Sequence, residues 1–275
     1  MLRTSVIVST YNQPEFLELV LASLALQSAA DFEVVVADDG SGSVTRELLE
    51  RPGRELPYPL RHVWQEDAGF RKGMALNKAV KEASAPYLIF NDGDCIAHPE
   101  FVRAHLDLAS RDAYLIGRTP RLSRKITERI TLDAVRRGRA QRASPDKWWD
   151  DWFGDTRRME FGVYVGNDWL FRRVQKTKKK LELWGGNFSC FKEHYVQING
   201  FNEDMDGWGK EDDEIGVRFT NLGLRPVSAA NRAVNFHLWH PKASGLSESI
   251  PRNLALKVKY RESGEYYCPS GYDNR

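Results

Sequence analysis

Apolar and polar positions in the N-terminal third of the chain follow two alternating periodicities. Runs rich in β-branched and other apolar residues predict buried strands at 5–10, 32–37, 87–90 and, more weakly, 60–64. Between these runs, apolar side chains recur at the spacing of an amphipathic helix, beginning at Leu17 and again at Leu76. Strands that alternate with helices are typical of an α/β fold. The pattern therefore predicts a mostly parallel sheet flanked by helices on both faces.

Polar clusters follow three of the predicted strands, at residues 10–12, 38–39 and 92–94. Ligands of such sheets bind beyond the carboxyl ends of the strands, so these clusters predict a nucleotide site. If the chain stays extended through Gly93, the carboxylates of Asp92 and Asp94 leave the same face and could address one metal ion. Their hard oxygen atoms suit Mn²⁺ or Mg²⁺. The alternative is that this Asn-Asp-Gly-Asp sequence is only a turn.

The composition changes between about residues 118 and 182, and within this stretch residues 121–142 carry many arginines and few large apolar residues. We expect an insertion or mobile region outside the sheet. Its charged runs, including 176–180, either form a solvated face or meet an anionic acceptor or lipid headgroups. Three tryptophans at 148, 149 and 152 either stack on sugars or pack in a core or interface.

The second half of the chain adds two glycine-containing segments. Residues 183–190 predict a glycine loop that runs into a strand, and residues 207–214 predict a loop before a helix that begins with four acidic residues. Such residues stabilise a helix N-terminus through its dipole. Functionally, the Trp208 indole beside carboxylates suits a sugar site, and either Asp212 or Glu211 could deprotonate an acceptor hydroxyl.

His237 and His240 lie three residues apart near the end of the sequence. Histidines in such a segment are usually ordinary loop residues, but a neutral imidazole is also a good Mn²⁺ ligand and could complete a site with Asp94.

Composition and charge limit the remaining classes. A formal net charge of +2 gives no global field for nucleic acid, and 28% charged residues are ordinary for a globular enzyme. The three cysteines share no C-x-x-C spacing, which fits a reducing compartment. Since the chain enters a strand pattern at once and no long apolar window follows, we expect a cytoplasmic protein, with peripheral contact at the inner face of the membrane left open.

Six motifs together resemble a family 2 glycosyltransferase of the GT-A (Rossmann-like) fold. The second half is similar to the galactosyltransferase-type segment of chondroitin polymerases and β-1,4-galactosyltransferases. The motifs lie at 8–12 (VSTYN), 36–41 (VADDGS), 91–94 (NDGD), 185–187 (GGN), 207–212 (GWGKED) and 237–240 (HLWH).

The resemblance implies site residues as well as a fold. Asp212 is implied as the catalytic base with Glu211 beside it, and Asp94 as a ligand of Mn²⁺ or Mg²⁺. Both His237 and His240 fit the spacing of the remaining metal ligands, with His237 slightly favoured. The residues implied at the nucleotide-sugar are Thr10, Tyr11, Asn12, Asp39, Arg71, Asp92, Gly186 and Trp208.

The implied organisation is one GT-A domain. It comprises a donor half at 1–117, a variable insertion at 118–182, an acceptor and catalytic half at 183–245, and a C-terminal tail at 246–275. The implied activity is inverting, metal-dependent transfer of galactose, N-acetylgalactosamine or glucose from a UDP-sugar to a glycan or glycolipid, in surface polysaccharide or oligosaccharide synthesis. A non-catalytic carbohydrate- or nucleotide-binding module is the alternative, and the sequence does not predict the oligomeric state.

Overall fold

The computed structural model describes residues 2–51, 55–175, 181–241 and 246–273. The strands are β1 Thr4–Thr10, β2 Phe32–Asp38, β3 Leu60–Trp64, β4 Tyr87–Asp92, β5 Cys95–Ala97, β6 Ala113–Ile116, β7 Asn187–Phe191, β8 Arg225–Ser228 and β9 Asn235–His237. The helices are α1 Pro14–Leu24, α2 Ser43–Glu50, α3 Lys72–Glu82, α4 Phe101–Leu108, α5 Arg124–Thr127, α6 Leu132–Arg136, α7 Pro145–Phe153, α8 Asp168–Gln175, α9 Lys192–Gln197, α10 Glu211–Asn221 and α11 Ile250–Ser263. Two 3₁₀ turns lie at Met159–Gly162 and Leu246–Ser249.

A seven-stranded sheet in the order β3-β2-β1-β4-β7-β6-β8 forms the centre of the molecule. Strands β1 to β4 are parallel to one another, as the alternating pattern predicts, whereas β7 is antiparallel to both β4 and β6. Strand β8 is parallel to β6. The first four strands therefore end at the same edge of the sheet.

Both faces of the sheet are covered by helices. Along β1, Val6 and Val8 face one core with Leu17 of α1, whereas Ile7 faces a second core with Val80 of α3. Strands that are buried on both sides need apolar residues at consecutive positions. This requirement explains why β1, β2 and β4 are continuous apolar runs in the sequence.

The chain turns between Asp92 and Asp94, so the expectation that it stays extended through Gly93 is wrong. Strand β4 ends at Asp92, and a turn leads directly into β5 at Cys95. A Cβ atom at Gly93 would lie 2.5 Å from the carbonyl oxygen of Ser9, so the turn packs tightly on β1. Because β5 pairs with β9, the turn brings Asp94 to the histidine-containing segment.

The described part of residues 118–182 folds into four helices and one 3₁₀ turn, and it adds no strand to the seven-stranded sheet. Its backbone is tied to the site region, since Arg121 forms bridges to both Arg157 and His237. Trp149 and Trp152 are 64% and 67% exposed, so neither packs in the core of this chain. The lysine run at 176–180 lies outside the described residues.

Within the described ranges, no helix is long and apolar enough to cross a lipid bilayer.

Candidate active site

The polar clusters after β1, β2 and β4 meet at one edge of the sheet. The backbone N–H of Asp39 donates to the carbonyl of Thr10 at 3.0 Å. Ser9 at the end of β1 donates a 2.8 Å hydrogen bond from its hydroxyl to Oδ1 of Asp92. The parallel sheet thus brings together residues that are more than fifty positions apart in the sequence.

Asp39, which was predicted to contact the nucleotide, is buried. Its carboxylate accepts hydrogen bonds from the Arg71 backbone N–H at 2.8 Å and from Nε2 of Gln65 at 2.6 Å. Burial raises the pKa of this carboxyl, and the two hydrogen bonds oppose the increase. The Arg71 guanidinium instead donates to the carbonyl of Glu66, so the Arg71 backbone makes the contact with Asp39.

The other predicted nucleotide residues line the same edge. The Thr10 hydroxyl is buried and has no hydrogen-bond partner among the described residues. Tyr11 is 48% exposed and donates its hydroxyl proton to Asp67. Asn12 adopts a positive φ of 50°, and its side-chain oxygen accepts from the Gly42 backbone N–H. These groups leave a polar, partly open surface beside Asp39.

Asp94, His237 and His240 form a candidate metal centre. Oδ2 of Asp94 lies 3.1 Å from Nε2 of His240 and 3.5 Å from Nε2 of His237. The three potential ligand atoms all lie within 4.8 Å of one another. Burial alone would raise the pKa of the Asp94 carboxyl, but the two histidines outweigh burial and lower it to about 2. A carboxylate and two imidazoles converging on one point fit Mn²⁺, and the structure brings both histidines to Asp94 rather than only one.

Lys72 lies beside Asp92 and the acidic first turn of α10, a role that the sequence alone did not indicate. Its ammonium donates a 2.8 Å hydrogen bond to Oδ1 of Asp92. Burial alone would lower the pKa of this ammonium, but the carboxylates around it outweigh burial and raise the pKa above its usual value. Those carboxylates belong to Asp92, Asp212 and Glu211.

The four acidic residues that begin α10 have different surroundings. Three of them form hydrogen bonds or salt bridges with other groups of the protein, so their carboxylates are less available to a substrate than that of the fourth. The partners are the Gly209 backbone N–H for Glu211 (2.8 Å), the ammonium groups of Lys210 and Lys257 for Asp213 (3.0 and 3.2 Å), and the buried Arg218 guanidinium for Glu214 (2.7 Å).

Asp212 is the fourth acidic residue. Its Oδ1 atom is buried and has no hydrogen-bond partner among the residues that the structure describes. A Cβ atom at Gly185 would lie 2.0 Å from Oδ2 of Asp212, so a larger residue there would displace the carboxylate or the loop. Burial raises the pKa of Asp212 to about 7; Lys72 opposes the increase, and nearby carboxylates add to it. A carboxyl with this pKa suits a general base near neutral pH.

Gly186 and Trp208 belong to the two glycine-containing segments, 183–190 and 207–214. Gly186 has a φ of +78°, and a Cβ atom there would lie 2.5 Å from Oδ2 of Asp92. The backbone of the 185–186 loop therefore passes close to both Asp92 and Asp212. Trp208 is 43% exposed, and its carbonyl accepts a hydrogen bond from Ser249. Its indole is therefore partly exposed to solvent.

A network of buried amides, which the sequence analysis did not identify, supports this loop. Asn235 donates to Oδ1 of Asn91 at 2.9 Å and to the carbonyl of Gly186 at 2.8 Å. Asn187 donates in turn to Oδ1 of Asn235 at 2.9 Å. The network joins β4, β7 and β9, and it fixes the glycine loop relative to the candidate metal centre. Asparagines at predicted buried strand positions were the sequence signal for this network, because a buried amide group needs hydrogen-bond partners.

Solved structures share this architecture. A mannosyltransferase, PcManGT from Pyrobaculum calidifontis in complex with GDP-Man and Mn²⁺, matches with a TM-score of 0.60 at 18% identity, over 95% of this chain and 64% of that one. TarS 1–349 of S. aureus in complex with UDP also matches with a TM-score of 0.60 at 18% identity, over 94% of this chain and 65% of that one. These likenesses confirm the predicted GT-A fold.

Sequence relatives add evidence for the reaction class. Validoxylamine A glucosyltransferase from Streptomyces hygroscopicus subsp. jinggangensis is 35% identical over 253 residues, which cover 86% of this chain and 56% of the relative. The chain thus spans little more than half the length of that relative. Residues 171–241 match a family described as the N-terminal domain of galactosyltransferase, as the resemblance of the second half implied. Residues 5–173, more than half of the chain, match glycosyl transferase family 2, and the chain therefore belongs to the family 2 glycosyltransferases.

Proposed function

We propose that this glycosyltransferase is inverting and metal-dependent, and that it transfers a hexose or N-acetylhexosamine from a UDP-sugar to a hydroxyl group of a glycan or glycolipid. The observation that carries the proposal is the unpartnered carboxylate of Asp212, which shares Lys72 with Asp92 at the carboxyl ends of the strands. Lys72 thereby keeps the proposed base, Asp212, next to the proposed donor site at Asp92. Synthesis of surface polysaccharide or oligosaccharide is the process that we propose.

The donor binds along the sheet edge in this proposal. Thr10, Tyr11, Asn12, Asp39 and Arg71 surround the uracil and ribose, and Asp92 lies beside the ribose and the metal. Asp94, His237 and His240 would hold Mn²⁺ or Mg²⁺, and a divalent cation there would supply positive charge to the diphosphate leaving group. The structural neighbours support these ligands, since TarS binds UDP in its structure and the mannosyltransferase is in complex with GDP-Man and Mn²⁺.

Asp212 performs the proton transfer. Its carboxylate takes the proton from the acceptor hydroxyl while the hydroxyl oxygen attacks the anomeric carbon. The bond from that carbon to the diphosphate oxygen breaks on the opposite face, so the configuration inverts. Lys72 remains protonated and limits the increase in the pKa of Asp212. Glu211 stands beside the base, and Trp208 offers a flat face to the transferred or accepting sugar.

We also propose a peripheral membrane contact through exposed aromatic residues. Trp149, Trp152 and Phe153 are exposed on α7, and Trp169 is exposed on α8. Exposed aromatic rings of this kind favour the headgroup region of a bilayer, where a glycolipid acceptor would lie. Sedimentation with lipid vesicles tests this contact. Replacing Trp149 and Trp152 by serine should release the protein, whereas Val44→Ser should not, and equal binding of both variants overturns the contact.

Calorimetric titration tests the donor assignment. The wild-type chain and an Asp94→Asn variant are titrated with UDP, UDP-galactose, UDP-N-acetylgalactosamine and UDP-glucose, each with Mn²⁺ and with EDTA. We expect Mn²⁺-dependent binding that prefers one sugar and that Asp94→Asn weakens. Absence of UDP binding under both conditions overturns the proposal. Binding without any transfer to the acceptors tested favours the non-catalytic module.

A further inference from the structure

A cavity of about 280 Å³ lies beside the glycine loop and has no role in the reaction described above. One of its lining residues, Trp184, immediately precedes Gly185, at which an added Cβ atom would touch Asp212. The cavity therefore lies beside the loop that packs against Asp212, the proposed base. Its lining consists of Arg118, Arg158, Phe161, Glu182 and Trp184.

Two guanidinium groups lie over the indole ring of Trp184. The Cζ atoms of Arg118 and Arg158 are 4.4 and 4.2 Å from the ring centroid. Arg118 donates to the backbone carbonyl of Glu182 at 2.8 Å, but neither guanidinium forms a salt bridge with any carboxylate in the described ranges. Trp184 is 39% exposed, so the arginines and the ring are accessible from solvent.

The electrostatic surroundings of these arginines favour an additional anion. Burial lowers the pKa of both guanidinium groups, and a neighbouring arginine lowers each further: Arg158 acts on Arg118, and Arg121 acts on Arg158. Carboxylates act in the opposite sense, from Glu182 and Asp213 on Arg118 and from Glu160 on Arg158. Arginine nevertheless stays charged in proteins, so the mutual repulsion remains until an anion binds.

The backbone holds the arginines in place beside the metal centre. Arg121, three residues after Arg118, bridges both Arg157 and His237. Arg158 adopts a φ of 68°, a conformation that residues other than glycine rarely keep without support. The cavity is therefore built from segments that are fixed to the site.

We propose that this cavity binds a carboxylate or phosphate group of the acceptor, next to the sugar whose hydroxyl Asp212 deprotonates. The inference rests on the proposed function and specifies its acceptor as an acidic glycan. Guanidinium groups bind such oxyanions through paired, charge-assisted hydrogen bonds. The indole of Trp184 supplies an apolar face for the ring that carries the anion.

Ligand-observed NMR in the presence of Mn²⁺ and saturating UDP tests the inference with three probes. Methyl β-D-glucuronide and α-D-glucose 1-phosphate carry a carboxylate and a phosphate, and methyl β-D-glucoside is neutral. We expect at least one anionic probe to bind more tightly than the neutral one. Arg158→Gln and Arg118→Gln should each weaken that binding by about tenfold and leave the neutral probe unchanged. Arg136→Gln, which replaces an exposed arginine on α6, is the matched control and should change nothing.

Equal binding of all three probes by the wild-type chain overturns the inference. If Arg158→Gln weakens UDP binding but leaves the binding of the anionic probe unchanged, the cavity serves the donor diphosphate. That result also overturns the inference. If one variant fails to fold by circular dichroism, the other decides the outcome. Failure of the wild-type chain to bind UDP with Mn²⁺ is a different result, because it overturns the proposed function itself.

Discussion

The ammonium of Lys72 lies 2.8 Å from Oδ1 of Asp92, the same oxygen that accepts a hydrogen bond from Ser9. Lys72 is the first residue of α3, where the positive end of the helix dipole disfavours a cation. Burial disfavours the charge as well. The carboxylates of Asp92, Asp212 and Glu211 outweigh both effects. The position of Lys72 is thus explained by the site rather than by the stability of its helix.

Replacing Lys72 by methionine should move the pH dependence of the reaction. In the wild-type chain we expect kcat/KM to fall below about pH 7, because Asp212 must be unprotonated to act as the base. Lys72 is the cation that lowers the pKa of Asp212, whereas Glu211, Asp92 and Asp213 raise it. Without Lys72 the pKa rises, and the acidic limb should move to higher pH by about one unit or more.

The matched control for this measurement is Lys78→Met, which removes an exposed lysine from the same helix. Its pH profile of kcat/KM should coincide with that of the wild-type chain. An acidic limb that stays in place in Lys72→Met would contradict the coupling between the lysine and the base.

Asp212→Asn should abolish most turnover while UDP binding with Mn²⁺ stays nearly unchanged. The amide keeps the shape of the side chain but cannot accept the acceptor proton, and general-base catalysis contributes about 10²- to 10⁴-fold. Asp213→Asn is the control, since Asp213 is engaged by Lys210 and Lys257. Steady-state release of UDP compares the two variants, and comparable losses in both would remove Asp212 from the role of base.

Gly185→Ala should lower kcat more than it lowers UDP affinity. The added Cβ atom would lie 2.0 Å from Oδ2 of Asp212, so the carboxylate or the loop must move. A displaced base costs turnover, because proton transfer needs hydrogen-bond distance to the acceptor hydroxyl. Turnover, calorimetric UDP affinity and melting temperature should be measured on the same preparation. An unchanged kcat in a folded variant would show that the contact does not position the base.

Strands β1 to β4 and the clustering of their polar ends could be predicted from the sequence because they depend on local patterns, whereas the short strands β5, β6, β8 and β9 were not predicted. Strands β1, β2 and β4 are continuous apolar runs, and a parallel sheet brings their carboxyl ends together. The clustering of Asp94 with the two histidines also follows the sequence, since their residue types and spacing suggest metal ligation, while metal binding there stays a prediction. These features need no knowledge of distant contacts beyond the topology of the sheet.

The differences among neighbouring residues could not be predicted, because they depend on contacts made elsewhere in the chain. Four consecutive acidic residues look alike in the sequence, yet Asp212 is the one of the four whose side chain forms no hydrogen bond or ion pair with the described residues, and its Oδ2 faces Gly185. The turn at Gly93 depends on the tight packing of that residue on Ser9. Lys72 acquires its role from Asp92, twenty residues away, and from α10.

Glu214 is the acidic residue of α10 whose loss should affect stability. Its carboxylate lies 2.7 Å from Nε of Arg218, and both side chains are fully buried. Glu214→Ala leaves the guanidinium buried without its counter-charge, so we expect a loss of about 3–5 kcal/mol in the free energy of unfolding. The Asp133–Arg137 pair has the same spacing in the sequence, but both of its side chains are more than 60% exposed. Asp133→Ala should therefore cost less than about 1 kcal/mol. Urea denaturation measures both values, and similar losses in the two variants would show that burial does not distinguish these ion pairs.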